Sequence, residues 1–119
     1  MKDFLLVGLG GAIGSMLRYS GNLFIGNKDF PYATLLINIT GSFIIGFVIG
    51  LSLKNESFAS NWKLFLATGI CGGFTTFSAF SFENLQLFQQ GKYLLLALYI
   101  LLSVVLGLVA AFSGYKFAA

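Results

Sequence analysis

The chain has no histidine, one cysteine (Cys71) and one proline (Pro31) in 119 residues, and only 9% of those residues are charged. Without histidine, and with a lone cysteine, it has no His-based triad, no Cys/His metal site and no disulfide framework. Cys71 reads as a small helix-packing residue. A soluble domain carries charge on about a quarter of its residues, so the low charge excludes a water-soluble fold. It also leaves no extramembrane domain in which to do chemistry. The seven Lys and Arg exceed the four Asp and Glu, but they are scattered, which argues against a nucleic-acid partner.

What the sequence has in abundance is apolar length: 57% of residues are hydrophobic, and the mean hydropathy is +0.88. A membrane-crossing helix takes roughly 20 apolar residues, and four segments meet or approach that, at about 4–24, 30–53, 64–88 and 93–115. The first follows Lys2 as a signal peptide's core would, but no small-x-small cleavage site leads into a soluble mature region, so it reads as a span. The connections are short and hold most of the charge. They are Asn27, Lys28, Asp29 and Pro31; Lys54, Asn55, Glu56 to Asn61 and Lys63; and Gln89, Gln90, Gly91 and Lys92. The expected fold is one all-α membrane domain, 1–119, with four transmembrane helices, too small to enclose a transport path alone.

Four spans put both termini on one side of the membrane. Lys2, Lys54, Lys63 and Lys116 then share one face and Arg18, Lys28 and Lys92 the other, a split of four to three. Because the Lys and Arg difference sets orientation, this near-balance predicts insertion both ways and pairing of opposite-facing copies. The result is a dual-topology, antiparallel homodimer. A single orientation set by one extra charge is the other reading.

Polar groups inside a span usually face protein or a water-filled path. In the second span Thr34, Asn38 and Ser42 recur every four residues, and Gly46 and Gly50 continue the stripe. The upper half reads as lining, or as interhelical hydrogen bonding, and the lower half as helix contact. Tyr99, Ser103 and Gly107 repeat the spacing more weakly in the fourth span. In the first, GGAIGSMLRY joins Gly10, Gly11 and Gly14, suited to close helix approach, to Arg18. That arginine either draws anions into a vestibule or snorkels to the interface.

The most informative string is GICGGFTTFSAFSFE, Gly69 to Glu83. Its glycines weaken the helix, and Thr75, Thr76 and Ser78 supply hydroxyls for freed backbone groups, so a break is expected near Gly72 to Thr75. Non-helical backbone at that depth must be buried in protein or line a cavity, and unwound carbonyls there suit a bare cation such as Na+. Beyond it crowd Phe74, Phe77, Phe80 and Phe82. A ring edge carries positive charge and can contact a dehydrated anion without trapping it, although phenylalanine in a span is more often lipid-facing or core. Glu83, near the end of the apolar run, either orients its neighbours or snorkels.

These three motifs, GGAIGSMLRY, TLLINITGSFIIG and GICGGFTTFSAFSFE, in this order, resemble those of the small bacterial Fluc (CrcB-type) fluoride channels. The resemblance implies an antiparallel dual-topology dimer in the bacterial cytoplasmic (inner) membrane, with two parallel fluoride pathways, a central structural Na+ and passive fluoride export. Residue by residue it implies Na+ held by the backbone carbonyls of Gly72 and Thr75 from both subunits, pore aromatics Phe77 and Phe80, and Asn38 as the amide that meets the ion. It also implies a polar track of Tyr99 and Ser103, further lining by Thr34, Ser78 and Ser81, and the family's arginine and glutamate at Arg18 and Glu83. The chain departs from some relatives at Gly107 and Ala111, where theirs continue the hydroxyls. The rival is a proton-coupled multidrug-type exporter using Glu83, which needs a carboxylate deep in the span. The sequence puts Glu83 near a helix end. A second alternative is a helical subunit that only anchors a larger complex.

Overall fold

The computed structural model describes residues 1–26, 30–55, 57 and 62–118. Of the expected connections, Asn27, Lys28, Asp29, Glu56 and positions 58–61 lie outside the described residues. The described chain is helical almost throughout: α1 (Lys2–Ile25), α2 (Tyr32–Lys54), the π-helical α3 (Leu64–Cys71), the single turn α4 (Gly72–Phe74), α5 (Phe77–Gln89) and α6 (Tyr93–Ala118). Tyr32–Lys54, Leu64–Gln89 and Tyr93–Ala118 are long and apolar enough to cross a membrane. The 24-residue α1 matches them in length but is not among them. It carries Lys2, Asp3 and Arg18, and glycine dilutes its apolar surface.

Glycine decides how closely the helices approach. At Gly46 an added methyl would run into the Ala111 carbonyl oxygen, and at Gly114 into that of Phe43, so α2 and α6 cross almost backbone to backbone. The same applies between α1 and the third apolar stretch, where Gly14 abuts the Ile70 carbonyl and Gly73 abuts that of Gly11. The lower half of the Thr34 to Gly50 stripe is therefore helix contact. At the other end of α2, Phe30, Leu35, Leu87 and Tyr99 form a buried cluster, with Phe80, Ile39, Leu95 and Leu96 packed on it.

Helical geometry is lost at the far end of the expected Gly72 to Thr75 stretch. Gly72 keeps helical angles (φ −61°, ψ −37°), whereas Thr75 (φ −86°, ψ 154°) and Thr76 (φ −153°, ψ 127°) are extended. Gly69 and Gly73 serve the close contact with α1, and the bend falls on two β-branched residues, which favour extended backbone. Both hydroxyls repair the ends. Thr75 Oγ1 donates to the Cys71 carbonyl at 2.8 Å, and Thr76 Oγ1 caps α5 by accepting from the Ala79 N–H at 3.3 Å.

Candidate functional site

The extended pair Thr75–Thr76 forms one wall of a groove of about 440 Å³. Asn38, Gly41, Ser42 and Ile45 of α2 face it, Ala67 and Cys71 of α3 and Gly72 close one side, and Phe77, Phe80, Ser103 and Val104 complete the lining. Six residues singled out by the sequence thus meet in one place: Asn38, Gly72, Thr75, Phe77, Phe80 and Ser103. The lining mixes hydroxyls, an amide and aromatic rings without any formal charge. Ser42 belongs with them and was legible from its place in the four-residue stripe. Cys71 and Ala67 carried no signal beyond their neighbourhood.

The groove's polar groups are held from the backbone outward. Asn38 Nδ2 donates to the Thr76 carbonyl (3.4 Å), and the Thr76 N–H donates to Asn38 Oδ1 (3.2 Å). The amide therefore takes the place of the helical partners that the extended segment gives up. Arg18 Nε donates to the Gly73 carbonyl at 3.2 Å, so the guanidinium reaches the same segment from α1 and is only partly buried. Ser103 Oγ is buried without a hydrogen-bond partner among the described residues, a hydroxyl free to bind whatever enters the groove.

Phe80 separates the groove from a second polar cluster. Its ring lies 4.9 Å from that of Tyr99 and 5.7 Å from that of Phe77. Tyr99 is fully buried, and its hydroxyl donates to Glu83 Oε1 at 2.9 Å, while Thr34 Oγ1 donates to Glu83 Oε2, also at 2.9 Å. Glu83 is 9% exposed and sits midway along α5. The expectation of a helix-end charge is corrected here: the apolar run ends near Glu83 in sequence, but α5 continues to Gln89 and turns the carboxylate inward. Tyr99 and Thr34 consequently lie behind Phe80 and do not line the groove. Ser78 and Ser81 are exposed on α5, Ser78 sharing a hydrogen bond with Thr76 Oγ1 at 2.9 Å. Phe77 is 78% exposed, its ring open to whatever lies beside the chain.

Gly72 and Thr75 both border the groove, and the donors they offer a cation are neutral backbone oxygens of the hard type that suits Na+. Two carbonyls alone are too few to enclose an ion. Among the described residues no group of three or more His, Cys, Asp or Glu competes as a metal cage.

Comparison with known proteins gives the same direction. The family described as CrcB-like protein, Camphor Resistance (CrcB), matches residues 5–115. A fluoride-specific ion channel of Azobacteroides pseudotrichonymphae is 48% identical over 97% of this chain and 94% of its own length. Proteins of the same name from Flavobacterium psychrophilum (49% identical, 96% and 94% covered) and Thermus thermophilus (48%, 98% and 94%) are similarly close. With a family match over nearly its whole length and relatives at this identity, the chain belongs to the Fluc (CrcB-type) family of multi-pass membrane proteins.

Proposed function

We propose that this chain is a fluoride-selective channel through which fluoride leaves the cell passively, with no enzymatic step. The observation that carries the reading is the groove that Asn38, Ser42 and Ser103 line together with Phe77 and Phe80. Fluoride is small and strongly hydrated. A path with several neutral donors and ring edges replaces its water without a charge that would hold it. The names of the close relatives support the same substrate.

The working unit in this proposal is an antiparallel, dual-topology homodimer in the bacterial cytoplasmic membrane, with α1 as the fourth span of each copy. One groove per chain, open on the side of the exposed Phe77, gives two pathways. The Thr75–Thr76 bends lie near the membrane midplane on the symmetry axis, where Gly72 and Thr75 of both copies hold a structural Na+. Arg18 stands at the vestibule beside the Gly73 carbonyl. Ser78 and Ser81 extend the lining, and Thr34 and Tyr99 act through Glu83. The proton-coupled exporter draws on the buried Glu83, but that carboxylate is tied by two hydroxyls and lies outside the groove.

Efflux from liposomes loaded with potassium fluoride or potassium chloride tests the function. Rapid fluoride release with chloride retained is expected. Equal release of both ions, or release only against a proton gradient, overturns it.

A further inference from the structure

A second groove, about 420 Å³ in volume, lies at the other end of the α1–α3 contact and shares no residue with the first. Lys2, Leu6 and Leu9 form one wall, Trp62 and Phe65 the other. Gly10 lies against Phe65 and Gly14 against Ile70, so the two helices run in the same direction and Lys2 and Trp62 come to the same end. The Trp62 and Phe65 rings meet edge to face with centroids 6.2 Å apart. The groove is thus apolar along its length, with an ammonium and an indole at its mouth. Tryptophan in a membrane protein concentrates at the headgroup level, and here it lies two residues before the apolar stretch that begins at Leu64.

We propose that this groove binds an anionic phospholipid. One acyl chain lies along Leu6, Leu9 and Phe65, and the headgroup phosphate sits on the Lys2 ammonium beside Trp62. Charge complementarity selects this occupant. Lys2 is the one charged residue in the lining, and Asp3 is not part of the wall. An apolar helix from a second copy would cover the leucines but leave the ammonium unanswered. The volume falls within the range of about 300–1,000 Å³ typical of ligand sites. The inference rests on the chain residing in a bilayer and not on its ion selectivity.

Trp62 is the sole tryptophan, so its fluorescence reports this groove alone. The full chain is reconstituted in phosphatidylcholine vesicles containing phosphatidylglycerol, with bromine on the acyl chains of one lipid or the other as a contact quencher. Quenching should show about a five-fold preference for phosphatidylglycerol, as expected for one lysine near an anionic surface. Lys2→Gln should abolish that preference, while Lys92→Gln, outside the groove, should keep it. Equal quenching by both lipids overturns the proposal, as does a preference that survives in Lys2→Gln. Quenching by neither lipid overturns it too, because Trp62 is then covered by protein. Fluoride efflux from the same vesicles is read in parallel, so failure of the channel reading and failure of the lipid site are distinguishable.

Discussion

Asn38 and Thr76 are paired through two hydrogen bonds, the side-chain amide donating to the Thr76 carbonyl and accepting from its N–H. Thirty-eight positions apart in sequence, they are coupled so that the groove's one amide also holds the extended backbone. Asn38→Asp keeps the acceptor for the N–H but removes the donor, leaving the partly buried Thr76 carbonyl without this partner at a cost of about 1 kcal/mol. The substitution should lower the thermal midpoint in detergent and abolish fluoride efflux, since a carboxylate in the groove repels the anion. Parent-like flux in Asn38→Asp would remove the amide from the path.

The parts of this arrangement legible in the sequence were those encoded locally. Apolar length and the four-residue recurrence of Thr34, Asn38 and Ser42 depend only on neighbours along one helix. The Thr34–Glu83–Tyr99 cluster joins three elements, and no spacing within a single helix encodes it; hence Glu83 read as a helix-end group although it is buried. The bend lies at the far end of the expected Gly72 to Thr75 stretch, at Thr75 and Thr76. Glycine weakens a helix, but at Gly73 the contact with Gly11 uses glycine for proximity, which leaves Thr75 and Thr76 to turn the chain.

Phe77 and Phe80 should separate flux from stability. Phe80 packs against both Tyr99 and Phe77, while Phe77 is largely exposed on the single chain. Phe80→Ile forfeits aromatic contacts worth about 0.5–1.5 kcal/mol, and Phe77→Ile should change the chain's own stability much less. If both ring edges meet the ion, each substitution lowers fluoride efflux by about tenfold or more, equivalent to at least about 1.4 kcal/mol added to the barrier. Thermal midpoints and efflux rates on the same preparations check this. Parent-rate efflux in both variants returns the rings to ordinary packing.

The carboxylate behind Phe80 makes a different prediction. Tyr99→Phe and Thr34→Val each remove one hydroxyl donor from Glu83 while preserving shape, and each should cost about 1–3 kcal/mol because a buried acceptor loses its partner. As both act on one group, the double variant should deviate from additivity by about 0.5–3 kcal/mol. A double-mutant cycle on unfolding free energies measures this. Strict additivity would mean that the two hydroxyls do not share a carboxylate in solution.

Glycine substitutions distinguish contacts within a chain from contacts between chains. Gly46→Ala drives a methyl into the Ala111 carbonyl and should destabilise the chain itself by about 1–3 kcal/mol. Gly8→Ala, with nothing within 4 Å, should be neutral or stabilising by up to about 1 kcal/mol. Gly72 is the informative case: the nearest atom to an added methyl is the Ala67 carbonyl oxygen at 4.0 Å, so the single chain has room there. Within the chain an added Cβ is not crowded there, and crowding by a second copy is what a larger side chain tests. Gly72→Val should therefore retain helicity while shifting the dimer to monomer, as read by native mass spectrometry or by subunit capture in dilute vesicles. If Gly72→Val remains as dimeric as the parent at every dilution, the two bends do not meet at the subunit junction. The shared cation site placed there would then lose its geometric basis.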